Sequence, residues 1–294
     1  MRILSAAPVK KCRVLGLLHD RILMYHGTPP RDAAALERQL RLVRLAFPVV
    51  SLEKLTACGG NGRARVALTF DDGLRNNVHV AYPILQKLGL TATFFVCPGL
   101  IERQEWLWNH EARQRLLSVQ KETLAEIAAG IGAPSADADA IVEWLKTLKI
   151  AARRQLEQQI RDATPRFMPS PAQREEFDLA SWDELERLDP DVVNIGSHTL
   201  THPILTSLTA EETEAETRDS RLALEQRLER PVSVFCYPNG DLNDGALASA
   251  RRHYRSAVTV EPGTVHGKGD PHLLPRYAAH PRWTRRLARR MVLG

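Results

Sequence analysis

Short runs of β-branched and aromatic residues recur along this chain, each followed by a stretch with helical spacing. That alternation is what most restricts the folds open to it. Arg21–Tyr25 (RILMY) reads as a strand, and residues 32–46 as a helix with Leu36, Leu40, Val43 and Phe47 at helical spacing. Val66–Phe70 (VALTF) is a second strand, followed by a helix over 77–88 that Gly89 closes. Residues 91–97 (TATFFVC) and 192–197 (VVNIGS) are β-branched and aromatic enough to be buried strands. A long charged helix over 209–228 begins at Thr209 as N-cap, with Glu212 three residues on completing a capping box. A strand over 233–237, a helix near 243–254 and a strand over 256–260 complete the series. Strands that are apolar throughout are covered on both faces, which means parallel strands flanked by helices. An α/β class follows, either an open doubly wound sheet or a (β/α) barrel, closed or incomplete.

Residues 102–177 break the alternation. They read as two or three helices, one carrying Leu116, Leu124 and Ile127 and another Val142, Leu145, Leu148 and Ile150, with 130–135 between them. The expected organisation is a single domain over 1–294 with its core at about 22–277, a helical insertion at 102–177 and a basic tail at 278–294. The insertion folds onto the domain, and Lys146, Arg153, Arg154, Glu157 and Arg161 form its wet face.

Composition narrows the class. A hydrophobic fraction of 44% and a charged fraction of 26% exclude a disordered or collagen-like chain. The four cysteines (Cys12, Cys58, Cys97, Cys236) are scattered, so no disulfide scaffold is expected, and a reducing cytoplasm suits them. No apolar run approaches the ~20 residues a membrane span needs. Pro8, Lys10, Lys11 and Arg13 interrupt the start, so it does not read as an export signal.

The net charge is +5, concentrated at Arg2, Lys10, Lys11 and Arg13 and at Arg282, Arg285, Arg286, Arg289 and Arg290. Trp283, Leu287 and Met291 recur every four residues among the latter. That pattern predicts an amphipathic helix, either touching an anionic membrane surface from the cytoplasmic side or packed on the body with its arginines in water. Nucleic acid as a partner would call for basic residues interleaved with aromatics along one element. That pattern is absent outside the C-terminus.

Four segments sit at the C-terminal ends of expected strands, the edge where parallel α/β folds build their sites. Asp71 and Asp72 leave an apolar strand side by side. Their desolvation and mutual repulsion are offset by a metal or a proton-transfer role, or the pair is only a cap and turn. His198 and His202, four apart, converge on one ion if the segment turns like a helix; otherwise they are capping or surface histidines. Residues 235–240 (FCYPNG) form a tight turn, which either stops there or aims backbone N–H groups into a site. His26, in Met24-Tyr25-His26-Gly27, is the fourth candidate.

In this order the four segments resemble the polysaccharide deacetylase family, also called the NodB-homology family or carbohydrate esterase family 4. TFDDG and HTLTH resemble its first and second motifs, and FCYPNG a third motif without its arginine. SWDEL, IGSHTLTHP and the SRxxLE pattern from Ser220 to Glu225 fit between them. MYHG and Leu274-Pro275-Arg276 resemble a branch acting on exopolysaccharides, whose catalytic histidine lies near the N-terminus. The resemblance covers about 22–277 apart from the insertion.

It implies an incomplete or distorted (β/α) barrel of the seven-stranded type. It also implies a metal-dependent hydrolase that removes the N-acetyl group from an amino sugar in a glycan. Asp72, His198 and His202 would hold the divalent metal, zinc in the first place, with cobalt, nickel or manganese also accepted by such a set. That metal lowers the pKa of bound water to roughly 7 and polarises the carbonyl. Asp71 is implied as the base, and the backbone N–H of Tyr237, beside Pro238, as oxyanion and substrate contact.

Two departures need substitutes. Arg276 would replace the missing arginine of the third motif. His26 would replace the absent C-terminal LxH histidine as acid to the leaving amine, His266 and His272 being ambiguous alternatives. Two rival functions remain. One is a deacetylase or deformylase of a lipid-linked sugar; the other is an inactive glycan-binding module, against which the intact Asp71, Asp72, His198 and His202 argue. Trp106, Trp108 and Trp144 either stack on sugars or pack a core.

Overall fold

The computed structural model describes residues 19–57, 64–267 and 269–293, the last four of these by backbone alone. Seven strands carry the fold: β1 (Arg21–Tyr25), β2 (Val66–Phe70), β3 (Ala92–Val96), β4 (Val193–Ser197), β5 (Val234–Cys236), β6 (Ser256–Val258) and β7 (Tyr277–Ala278). They form one sheet in the order β6-β5-β4-β3-β2-β1-β7, parallel at every pairing. Every residue of β1, β2 and β3 is buried, as expected for apolar strands covered on both faces.

The sheet curls into an incomplete (β/α) barrel. Between its edge strands lies the segment that ends in β7. Leu274 bridges Val258 of β6, while Tyr277 and Ala278 pair with Leu23 and Met24 of β1. Arg276, between those two anchor points, is completely buried.

Helices cover the sheet. α1 (Ala33–Ala46) and α2 (Leu52–Ala57) lie between β1 and β2, and α3 (Tyr82–Leu88) between β2 and β3. α1 buries Leu36, Leu40 and Val43, and Gly89 ends α3 at φ 57°, a left-handed cap.

Between β3 and β4 run α4 (Pro98–Arg103), α5 (Trp108–Leu117), α6 (Lys121–Gly130), α7 (Ala138–Lys146), α8 (Ile150–Ala163), α9 (Pro171–Phe177) and α10 (Trp182–Glu186). α11 (Ala210–Leu228), capped by the Thr209–Glu212 box, follows β4. α12 (Asp244–His253) and α13 (Thr284–Leu293) complete the set.

The insertion departs from expectation in two ways. It contains five helices, α5 to α9, rather than two or three, because turns at 118–120 and 147–149 split each apolar run in two. Leu116 and Leu124 therefore lie on different helices. Helices α5 to α8 share a second core of Trp108, Leu116, Ile127, Ile141, Leu145 and their neighbours, which Ile204 joins from outside the insertion.

The expected wet face is partly interior. Arg153 and Glu157 are only 3% and 8% exposed and pair at 2.8 Å. The Arg153 guanidinium lies 4.2 Å from the Trp108 ring centroid. Their i,i+4 spacing lets the two charges neutralise each other where a lone charge would be costly. Arg154 does face solvent.

At the C-terminus Leu287 packs into the main core. Trp283 stays 42% exposed, with the Arg286 guanidinium 4.8 Å from its ring centroid. The side chains of Arg290 and Met291 lie outside the described residues, as do Arg2, Lys10, Lys11, Cys12, Arg13 and Cys58. Among the described residues no helix is long and apolar enough to cross a membrane.

Candidate active site

The strand ends of β2, β4 and β5 meet at one place. As β2 finishes, Asp71 continues the pairing through its N–H to the Tyr25 carbonyl, and the backbone then turns sharply, Asp72 at φ 76° and Gly73 at φ 65°. A Cβ on Gly73 would lie 3.1 Å from Val96 Cβ, so both conformation and space require glycine there. The turn gives the adjacent carboxylates different surroundings, and both are almost fully buried.

Asp71 is held by Arg276. Nη1 donates to Oδ1 and Nη2 to Oδ2, each at 2.7 Å. The remaining guanidinium contacts are the Thr259 carbonyl at 2.8 Å, Thr69 Oγ1 at 3.0 Å and Cys236 Sγ at 3.1 Å. Burial alone would raise the Asp71 pKa; the Arg276 charge and its hydrogen bonds outweigh that and hold it below the usual carboxylate range. Arg276 thus reaches Asp71, and Cys236, which the sequence offers only as a small apolar residue, completes the contact.

Asp72 faces the two histidines. Its Oδ1 lies 3.6 Å from His198 Nε2 and 3.5 Å from His202 Nε2. The loop carrying the rings has Thr199 at φ 66° and His202 at φ 58°, unusual for non-glycine residues. It is fixed by the His202 N–H donating to Thr199 Oγ1 at 3.0 Å. Glu216 of α11 also accepts from the Thr201 N–H at 2.9 Å and hydroxyl at 2.6 Å.

His198 Nδ1 donates to the Cys236 carbonyl at 2.8 Å, which fixes the ring's orientation and turns Nε2 toward Asp72. Burial works against a charge on His198, but Cys236 and Asp72 more than offset it and raise its pKa. Burial, followed by His198, pushes His202 down to about 3. Asp72 sits well below the carboxylate range, its burial overcome first by His198 and then by His26.

These donors fit a metal. Asp72, His198 and His202 present ligand atoms all within 4.8 Å of one another. Separations of 3.5–3.6 Å are too long for good hydrogen bonds but suit the edges of a tetrahedron with bonds of ~2.0–2.1 Å, about 3.3–3.4 Å. One carboxylate and two neutral-capable imidazoles are the donor set of a zinc-type site.

Above them opens a pocket of about 440 Å³ lined by Asp72, His26, His110, Phe177, His280 and Trp283 among others. His26 is exposed at the end of β1. The Thr28 N–H and hydroxyl anchor its loop to Asn76 and Asn77 at 2.7 and 2.9 Å.

Other expected residues lie elsewhere or differ. The Tyr237 N–H donates to the Val258 carbonyl at 3.3 Å, so it is already engaged rather than free for an oxyanion, and Pro238 has no N–H. His272 Nε2 bonds the Tyr254 carbonyl, and His266 packs on His19. Trp108 is buried and Trp144 half-buried in the insertion core, while Trp106 Nε1 donates to Asp178 at 2.8 Å. None of the three tryptophans lines this pocket, whose walls include Phe177 and Trp283. His110 and Glu216 were not among the expected residues: neither follows a strand or belongs to a motif.

A family model described as polysaccharide deacetylase matches residues 59–258, about two thirds of the chain. The chain belongs to the polysaccharide deacetylase family. Among curated proteins it is 21% identical over 217 residues to the putative polysaccharide deacetylase YxkH of Bacillus subtilis, covering 74% of this chain. It spans about half of that relative, 52% of its length.

Among solved structures it is similar in fold to the Streptococcus pyogenes deacetylase PplD in complex with acetate. The TM-score is 0.62 at 20% identity, over 94% of this chain and 99% of that one. It is similar also to IcaB from Ammonifex degensii, with TM-score 0.61 at 16% identity over 94% and 98%. Both likenesses concern the barrel of the deacetylase family.

Proposed function

We propose that this polysaccharide deacetylase family member is a metal-dependent hydrolase that removes the N-acetyl group from an amino sugar of a glycan. The observation that carries the proposal is the buried Asp72–His198–His202 nest beside an Arg276-clamped Asp71 at the floor of an open pocket.

Amide hydrolysis faces three difficulties: water is a weak nucleophile, the tetrahedral oxyanion is costly, and the amine leaves only when protonated. A divalent metal held by Asp72, His198 and His202 supplies Lewis acidity, which acidifies water and polarises a carbonyl. Zinc suits this set best, and cobalt, nickel and manganese are also accepted.

Asp71 takes the proton from the attacking water. Arg276 keeps it ionised and fixes its orientation. His198, locked by the Cys236 carbonyl, cannot rotate away from the nest. His26 lines the same pocket and donates a proton to the departing amine. The carboxylate that accepts and the imidazole that donates thus stand on different strand ends.

The test is mass spectrometry of N-acetylated glycans after incubation with the metal-loaded protein. Loss of an acetyl group supports the proposal. Intact glycans across poly-N-acetylglucosamine, chitin oligosaccharides and peptidoglycan fragments would refute it.

A further inference from the structure

The catalytic pocket contains an imidazole that the reaction above does not use. His110 stands in the first turn of α5, inside the helical insertion, and lines the pocket with His26 and Asp72. Its ring packs against Phe177 of α9, centroids 4.9 Å apart. Nδ1 is buried without a partner, and no described residue hydrogen-bonds to either ring nitrogen. The ring is only half-buried, and Nε2 is not among the buried unpartnered atoms, so Nε2 is the nitrogen left to bond a ligand in the pocket.

Two other roles fit less well. Two groups of mutually close donors occur among the described residues, Asp72 with His198 and His202 and Asp71 with His198 and Cys236, and His110 is in neither. Burial lowers the His110 pKa, with Asp72 only partly opposing, so the ring stays neutral near pH 7 and is a poor proton donor to an amine. With Nδ1 buried, the neutral ring presents Nε2 alone, a donor or an acceptor according to tautomer, and a hydroxyl can meet either. The wall around it is tied in place: Glu176 of α9 pairs with Arg31, from the segment after β1, at 2.9 Å.

We infer that His110 hydrogen-bonds the sugar of the bound substrate, at a hydroxyl beside the acylated nitrogen, so that the helical insertion forms the substrate-reading wall of the pocket. The inference rests on the deacetylase reading. The acyl group belongs to the floor where Asp72 lies, and what projects from the floor along the wall is the sugar.

The experiment compares wild type with His110→Ala and His110→Gln on two substrates. One is an N-acetylglucosamine oligosaccharide; the other is 4-nitrophenyl acetate, which has no sugar. His110→Ala should raise KM for the oligosaccharide about tenfold, the loss of one hydrogen bond. Metal content and aryl acetate turnover should stay within about twofold, and His110→Gln, which keeps a donor, should recover part of the loss. An unchanged oligosaccharide KM, or equal losses on both substrates, would overturn the inference.

If wild type releases no acetate from the oligosaccharide, the deacetylase reading fails separately. The His110 contact is then read from its ring ¹⁵N signals on addition of the same oligosaccharide. Movement of those signals supports the contact, and their constancy rejects it.

Discussion

The floor of the pocket and its wall are built differently. The floor comes from strand ends: Asp71 and Asp72 after β2, His198 and His202 after β4, and Arg276 in the segment that spans the barrel's edges. All five are almost fully buried, and the two carboxylates and His198 each have defined partners. The wall comes from helices and loops. His26 and Trp283 are exposed, His110 and Phe177 are half-buried, and neither nitrogen of His110 has a partner among the described residues. Charge in a low-dielectric interior must be matched group by group, so the floor tolerates little change. The wall meets water or ligand and can vary at small cost.

The sharpest way to break that contrast is Arg276→Met. It leaves the Asp71 carboxylate buried without its guanidinium, a change that typically costs about 3–5 kcal/mol. Denaturant unfolding should register that loss, whereas Trp283→Ala on the wall should stay below about 1 kcal/mol. Comparable destabilisation by both variants would dissolve the distinction.

His26→Ala should lower amide turnover by about 10²–10⁴-fold. It should spare hydrolysis of 4-nitrophenyl acetate, whose leaving group needs no proton, and leave the melting temperature nearly unchanged. Equal losses on amide and ester would make His26 a positioning residue.

A smaller effect is expected one layer behind the floor. Glu216→Ala removes the acceptor for the Thr201 N–H and hydroxyl, loosening the loop that holds Thr199 and His202 at positive φ. Metal affinity, read by chelator competition, should fall about 10–100-fold with His198 and His202 both intact. Unchanged affinity would show that the loop holds itself.

The smallest effect belongs to the insertion. Glu111 is bonded by Arg161 and Arg115. Burial tends to raise its pKa, but those two partners hold it below the usual carboxylate range. A depressed carboxylate contributes stability that is full above its unfolded pKa and lost as pH falls through the folded one. Acid unfolding below pH 4.5 should therefore be flatter in Glu111→Gln than in wild type, and identical profiles would remove Glu111 from the balance.

The same division explains what the sequence discloses. Strand-end residues are legible because an apolar run marks the strand and the next residues must lie at the sheet's edge. TFDDG, HTLTH and MYHG are found that way, and Arg276 by the need to replace a missing partner. His110 is not legible, because it sits on a helix whose only signal is amphipathic spacing, and nothing local says that this turn faces the pocket. Arg153 and Glu157 read as solvated charges, since a pair buried by its own i,i+4 contact has the same sequence pattern as an exposed one. The Tyr237 N–H could not be known to be engaged before the register of β5 on β6 was fixed.

The central claim is that Asp72, His198 and His202 hold one divalent metal on which turnover depends, with Asp71 acting beside it. Elemental analysis of wild type, His202→Ala and Asp71→Asn tests it most directly, with acetate release measured on the same samples. The account predicts one metal per chain in wild type and in Asp71→Asn, the latter without turnover, and loss of both metal and turnover in His202→Ala. Stoichiometric metal in His202→Ala would contradict it.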